Sequence, residues 1–359
     1  MAPAFRVIDT GVRDGRRQIA FDQALIDARN ADAIPDTIRF LRFPPTALVG
    51  RHQALSREVR VEYCRANGIG LARRITGGGA IYLDEGQLGW ELVFRRATLG
   101  IVSLADLARA ICEAAAAGLR RLGVDARYRP RNDIEVAGRK VSGTGGFFDG
   151  DTLFYQGTVL VDLDAARMVA ALRVAQAKLA RRDLDSAAQR VVTLKSLLGA
   201  APPLSAVCEA LLAGFTERLG IVTEPGTIGA DEEALADRYH DEEIGTDAFV
   251  AEIDDPQAGA GVAAATVDGA GGSVTAYVRL DATAERRVRD ALITGDFFVT
   301  PPRIVYDLES ALRGVPARDA GDAVERFFAT ASVGLLSITP ADFRRAVEGA
   351  VDATTGAAP

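Results

Sequence analysis

The sequence predicts a two-domain α+β protein, and three observations carry that prediction. A chain of 359 residues exceeds the roughly 100–200 residues of one typical domain, so a large and a small domain are expected. Strand-like and helix-like stretches are mixed without the strand–helix–strand rhythm of a parallel α/β sheet. The charge also changes sign along the chain. Residues 1–220 hold 31 Arg and Lys against 24 Asp and Glu, whereas residues 221–359 hold 11 against 25. With the change of texture near Gly245, this places the domains at 1–245 and 246–359 and any anion-handling site in the first.

Composition narrows the function classes. Hydrophobic residues make up 48% and charged residues 25%, enough for a sizeable core. No stretch approaches about 18 uninterrupted apolar residues, so no membrane partner is expected. The N-terminus, MAPAFRVIDTGVRDGRR, carries charges where a signal peptide would be apolar. Cys64, Cys112 and Cys208 are far apart and odd in number, against a disulfide framework or a structural zinc site. A cytoplasmic location is the simplest expectation. His52 and His240 are the only histidines, too few for a His-rich metal centre or a comfortable Ser-His-Asp triad. The arginines are dispersed and lack a set of stacking aromatics, so nucleic acid is not an expected partner.

The elements follow in order. Residues 17–29 form a helix with Ile19, Phe21, Ala24, Leu25 and Ala28 on one face. Thr37–Phe43 and Thr46–Gly50 are strands separated by Pro44-Pro45, and Arg57–Asn67 is a helix stopped at Gly68. Short strands are expected at Ile69–Arg74, Ala80–Leu83 and Leu88–Phe94, then a long helix at Leu104–Leu122. Ile134–Val136 and Lys140–Gly143 make a hairpin across Ala137-Gly138. Leu153–Asp162 is a strand, Ala165–Val174 and Val207–Leu219 are helices. Val262–Val267 and Ser273–Leu280 form a hairpin around DGAGG. Helices near Val305–Leu312, Ala323–Thr330 and Ala341–Val351 complete the chain.

Three segments could carry chemistry. In Arg73-Arg74-Ile75-Thr76-Gly77-Gly78-Gly79-Ala80-Ile81-Tyr82, a strand enters three glycines and a second strand leaves them. Backbone N–H groups there can converge on phosphate oxygens beside two arginines; the plainer alternative is a turn that needs positive φ. In Arg131-Asn132-Asp133 and Gly138-Arg139-Lys140-Val141-Ser142-Gly143-Thr144, a lysine stands among glycines. It is one of only three, with Lys178 and Lys195, in a chain of 42 basic residues. A compact, rotatable ammonium at a reacting phosphate is a task that a guanidinium performs poorly. Asp133, seven residues earlier, could hold Mg²⁺ through one carboxylate, or both could belong to a solvated hairpin. Gln156-Gly157-Thr158 lies inside an apolar strand, where a glycine marks a close approach or a bulge.

Taken together, RRITGGGAIYLD, RNDIEVAGRKVSGT and YQGTVLVDLD, preceded by FLRFPPTALVGRHQ, resemble the lipoate–protein ligase A family and its lipoyl/octanoyl transferase relatives. The resemblance extends to the family's C-terminal accessory domain, whose Gly-Asp-Phe-Phe signature is Gly295-Asp296-Phe297-Phe298 here. It implies a large mixed-sheet catalytic domain of the biotin/lipoate ligase type followed by a small α+β accessory domain. It also implies an enzyme that uses ATP and Mg²⁺ to convert lipoate, or octanoate, to an acyl-AMP. The acyl group then passes to a lysine of an acceptor: a 2-oxoacid dehydrogenase E2, a glycine-cleavage H protein or a specialised lipoate-binding protein. The family's pattern gives Lys140 the α-phosphate and the lipoyl carbonyl. It gives the nucleotide to Arg74, Thr76, Gly77, Gly78, Gly79, Ala80, Ile81 and Tyr82, with Asn132, Gly157 and Thr158 as further binding residues and Asp133 as the Mg²⁺ partner. A monomer is expected. Departures from the pattern fall at Leu83, Gln156 and Gly145.

Two other functions stay open at this level. An octanoyltransferase of the same fold would work without ATP, through a nucleophilic cysteine or a lysine base. No cysteine occurs between residues 125 and 150, and Cys64 and Cys112 sit at helical positions suited to buried structural thiols. A non-catalytic lipoate-binding protein would not need Arg74, the glycine run and Lys140 together. Trp90 is expected in the core, His52 hydrogen-bonded at a strand end, and His240 on a solvated helix face.

Overall fold

The computed structural model describes residues 2–356 apart from 102, 131, 174–189, 257–260, 270, 283, 336 and 337. Arg131, Lys178, the end of the helix expected to Val174 and Ala270 of the DGAGG turn therefore lie outside the described residues. The chain divides into two compact units. The first comprises Met1–Val49, Glu58–Ile75 and Ala80–Glu252; the second comprises Gly50–Arg57, Thr76–Gly79 and Ile253–Pro359. Among the described residues no helix is long and apolar enough to cross a membrane.

Among its described residues, the first unit is built on an eight-stranded mixed sheet and a three-stranded one. In chain order the strands are β1 (Ala4–Val12), β2 (Thr37–Arg42), β3 (Thr46–Val49), β4 (Gly70–Arg73), β5 (Ile81–Leu83) and β6 (Gln87–Arg95). Then come β7 (Arg127–Arg129), β8 (Asp133–Val136), β9 (Arg139–Asp149), β10 (Thr152–Leu160) and β11 (Val222–Pro225). The large sheet runs β11-β1-β2-β6-β10-β9-β8-β7 and the small one β4-β3-β5. Strands β1 and β11 were not expected. The first buries only Phe5, Ile8 and Thr10, without regular alternation, and the second has little apolar content, so their pairing is decided by the sheet.

Helix α1 (Gly15–Asn30) starts where the Asp14 carboxylate accepts from Arg16 N, and all five residues of the expected apolar face are buried. They pack with Leu41, Val93, Phe147 and Phe154 on one face of the large sheet. The helix expected at Arg57–Asn67 is broken into α2 (Leu55–Glu58) and α3 (Val61–Ala66). Between them Val59 makes a β-bridge to Leu172, and Arg60 Nη1 donates to the carbonyls of Val169 and Ala170. A tertiary partner for the backbone overrides local helix preference there. Helix α4 (Leu104–Arg120), capped by Ser103, lines up nine buried residues. It packs with α7 (Leu204–Leu219), which follows α5 (Ala165–Ala171) and α6 (Leu194–Leu198). Close backbone approach explains Gly118 and Gly214: a Cβ on Gly214 would stand 2.6 Å from Gly118 N. Helix α8 (Ala230–Tyr239), a π turn at His240–Ile244 and α9 (Asp247–Val250) close the unit. They carry much of its acidity against α1 and β1, through Glu232–Arg6, Glu233–Arg13 and Asp247–Arg16.

In the second unit, β12 (Val262–Gly269), β13 (Gly272–Leu280) and β14 (Val288–Gly295) form an antiparallel meander. Strands β15 (Val299–Thr300) and β16 (Gly334–Leu335) pair separately. Helices α10 (Ile304–Leu312), α11 (Ala320–Thr330) and α12 (Pro340–Gly356) contribute to a core of Val274, Val278, Ile293, Phe297, Leu308, Val324, Phe343 and Val347. The residues before GDFF are thus a strand that the sequence reading left unassigned.

Candidate active site

Strand register separates the two faces of the large sheet, because residues paired across antiparallel strands share a face. One row runs Phe40–Trp90–Gly157–Thr144 and its neighbour Ile38–Leu92–Tyr155–Gly146. This face lies under α4 and α7: Phe215 packs on Trp90, and the Cys112 Sγ lies 3.2 Å from Thr144 Oγ1 and 3.3 Å from Tyr155 OH. The opposite face carries Leu41–Gly89–Thr158–Gly143–Asp133 and Arg39–Glu91–Gln156–Gly145. Helix α1 covers its β2–β6 side. Toward β8–β10 that face opens, since Gln156, Thr158, Gly143 and Asp133 are half-buried while Tyr155, Gly157 and Val159 between them are buried.

Lys140 stands on the open face, and a β-bulge puts it there. Pairing shifts between Ile134↔Ser142 and Glu135↔Lys140, leaving Val141 as the extra residue. The Lys140 ammonium then lies 2.7 Å from Asp133 Oδ1. Asn132 is tied to the same strands: its Nδ2 donates to Thr144 O at 2.7 Å, and its carbonyl accepts from Thr144 N and Oγ1. Thr158 shares the open face. Gly157 lies on the opposite, buried face. A Cβ on Gly157 would stand 2.5 Å from Trp90 Cε2, so the missing side chain makes room for a core indole. Trp90 itself is fully buried, as expected.

A second group of expected residues belongs to the small sheet. Arg74 follows β4, is 6% exposed, and its N–H donates to Val49 O at 2.9 Å. Burial pulls its pKa down to about 10, a measure of how poorly the site solvates the positive charge. Ile81 and Tyr82 pair with Leu48 and Ala47 along β3, with Ala80 just before them. Tyr82 is buried and its pKa is pushed up to about 12, chiefly by that burial. The neighbouring Arg73 serves the fold instead, donating from Nη2 to Val250 O at 2.9 Å and from Nε to Phe249 O at 3.1 Å.

Thr76, Gly77, Gly78 and Gly79 belong to the second unit. The Gly78 N–H donates to Phe297 O at 3.1 Å, so that amide has a partner within GDFF. A Cβ on Gly77 would overlap the same carbonyl oxygen, and Gly78 has φ +94°. Thr76 O accepts from Arg51 N at 2.8 Å. His52, expected to hydrogen-bond at a strand end, stacks its ring on Phe297 with centroids 5.3 Å apart. His240 lies beside Asp241, Nδ1 to Oδ1 at 2.7 Å.

The family is decided by a match over more than half of the chain: residues 14–216 correspond to the family described as the lipoyl protein ligase A/B catalytic domain. The chain belongs to that family. It is 30% identical over 258 residues to octanoyltransferase LipM of Kyrpidia tusciae, covering 65% of this chain and 94% of the relative. A solved structure of lipoate-protein ligase A bound with ATP superposes with TM-score 0.61 at 27% identity, over 69% of this chain and 98% of that one. The lipoate complex of LipL1 from P. falciparum shares the fold across 96% of this chain and 98% of its own, with TM-score 0.71 and 15% identity. The first unit is therefore a mixed α+β catalytic domain of the biotin/lipoate ligase fold, followed by a smaller α+β region. The chain is an enzyme of the lipoyl/octanoyl ligase–transferase family.

Metal chemistry is limited by the donor set. Among the described residues no group of three or more His, Cys, Asp or Glu could cage an ion. Asp133 alone suits Mg²⁺ carried on nucleotide phosphates, which commonly needs only one or two protein carboxylates. Sequence reasoning missed two features. Glu91 and Asp22 flank the fully buried Arg39, at 2.9 Å and 2.6 Å from its Nη1. Cys112 reaches Thr144 across 32 residues. Only tertiary contacts reveal either.

Proposed function

We propose that this chain is an ATP-dependent lipoate–protein ligase, with Lys140 as its catalytic residue. One observation carries the reading: a lysine in a lysine-poor chain is aimed by a bulge onto the open face of the sheet and held at 2.7 Å by Asp133. In the first step a lipoate carboxylate oxygen bonds to the ATP α-phosphorus, the bond to the bridging oxygen breaks, and pyrophosphate leaves. In the second the acceptor lysine's amine attacks the carbonyl carbon of lipoyl-AMP, AMP leaves, and the amine loses its proton. Both steps concentrate negative charge at one place. A preorganised ammonium stabilises it more in a partly desolvated site than in water.

Arg74 would take the nucleotide phosphate, since an arriving anion relieves the cost of its buried charge. Asn132 and Thr158 flank the same opening, and Ala80–Tyr82 supply further backbone groups toward the nucleotide. Asp133 would hand Lys140 to the phosphates and hold the Mg²⁺ they carry; the ion supplies charge neutralisation of pyrophosphate. The acceptor is a lipoyl-domain protein, as the family resemblance implies.

The similarity to LipM keeps an octanoyltransferase as the second reading. The structure's thiols weigh against its cysteine route. Cys112, the one beside the motif strands, is fully buried on the opposite sheet face, and burial pushes its pKa up to about 11. Lipoate- and ATP-dependent release of pyrophosphate by the purified chain decides between them. Acyl transfer from an octanoylated carrier protein without ATP, and no pyrophosphate with it, would replace the ligase by the transferase.

A further inference from the structure

Gly143 has no conformational reason to be glycine. It lies inside β9, paired with Thr158 on one side and Asp133 on the other, and it is absent from the positive-φ glycines. A glycine inside a strand weakens it, so the position calls for a cause. The three atoms nearest to a Cβ built there all belong to the Lys140 side chain, with Nζ at 2.5 Å and Cε closer still. No backbone crowds the site. The lysine stem crosses the bare strand at Gly143 to reach Asp133, the residue paired with Gly143.

The lysine arrives on this face only through the bulge. Unbroken alternation would place Lys140 with Ser142 and Thr144, which are buried on the α4 side. The extra residue Val141 reverses its direction, and Val192 N donates to Lys140 O at 2.9 Å, fixing the backbone at that point. We infer that Gly143, with the bulge at Val141, is the positioning device for the Lys140 ammonium: its missing Cβ is the path by which the side chain lies low on the sheet. This rests on the catalytic reading of Lys140 above, and deepens it.

The test is Gly143→Ala in the full-length chain, with three measurements. The thermal unfolding midpoint should hold, because the obstructing atoms are the far end of a flexible side chain. Pyrophosphate release with lipoate and ATP should fall by about 10²-fold, the cost of misplacing a reacting group by about 1 Å. In the absence of nucleotide, acetylation of Lys140 by an amine-selective reagent, read by peptide mass spectrometry, should rise relative to Lys195. Lys195 is the internal reference, paired with Asp162 at 2.7 Å. A folded variant with unchanged Lys140 labelling, with or without loss of rate, overturns the inference, as does changed labelling at an unchanged rate. A marked drop in the midpoint overturns it too, since it would give the missing Cβ a packing role. Full adenylation by a folded Lys140→Ala variant instead removes the catalytic reading, whatever the labelling shows.

Discussion

Two cation–carboxylate clusters stand on the same face of the large sheet, in adjacent rows, and burial sets them apart. In one, Arg39 is held by Asp22 and Glu91, with all three side chains at most 1% exposed. Its guanidinium also donates to Thr10 Oγ1 at 3.1 Å and to Gln18, and stacks on the Phe21 ring. In the other, Lys140 meets Asp133 with 34% and 16% of the side chains exposed. A partly exposed pair holds its partners by little more than about 1 kcal/mol. The buried cluster is a fixture of the fold, whereas the open one can exchange its carboxylate for a phosphate at small cost. Arg suits the first because its planar fork satisfies several acceptors at once; Lys suits the second because a point charge can turn between partners.

The comparison breaks most visibly at Arg39. Arg39→Ala leaves two buried carboxylates facing one another, and removing one partner of a buried ion cluster costs about 3–5 kcal/mol. Urea denaturation should record that loss in the midpoint. A loss below about 1 kcal/mol, the level of a surface pair, would erase the distinction.

Lys140→Ala should do the reverse, leaving the fold alone and lowering adenylation by about 10²-fold or more. Lys140→Arg should fail as well, because a fork cannot occupy the point position. Lipoyl-AMP formation near the wild-type rate in either folded variant counts against the assignment.

Titration sharpens the contrast. Burial, and then the neighbouring Glu91, raise the pKa of Asp22 well above its ordinary 3.8. Burial likewise raises Glu91 above 4.5, against the pull of Arg39. For an acid raised in the folded state, the native protein holds the extra proton. Stability therefore falls as pH climbs from the ordinary values through the raised ones. Glu91→Gln removes one of the two acids and should flatten that fall in a pH series of unfolding midpoints. An unaltered slope would mean that the pair does not titrate in that window.

The smallest effect belongs to the thiols. Replacing Cys64, Cys112 and Cys208 together by Ser should leave ligase turnover unchanged, at a stability cost of about 1–2 kcal/mol from the buried positions. A trapped acyl-thioester on the wild-type chain would shift the site to a cysteine and the enzyme to the transferase class.

Much of the molecule was legible in one dimension where a local signal had a local cause. The apolar face of α1, the Ser103-capped α4 and the Ala137-Gly138 turn, with φ of +49° and +76°, follow from periodicity and turn chemistry. So did the motif strands, because Lys140, Asp133 and Thr158 lie on paired neighbours. Elements whose partners are remote escaped: β11 pairs with β1 across some two hundred residues, and α2 and α3 are parted by a bridge to Leu172.

The sequence by itself determined the α+β class, the scarcity of lysine and the order of the motifs, since composition and spacing need no third dimension. Only the tertiary structure decided which glycine does what. Gly157 yields to an indole, Gly77 to the Phe297 carbonyl, and Gly143 to the Lys140 stem. All three are bare Cα positions in the sequence, and at each of them another part of the chain stands where a Cβ would be. The face that Lys140 takes was decided the same way. A bulge of one residue, visible only in the pairing with β8, turns its side chain from the core to the open side.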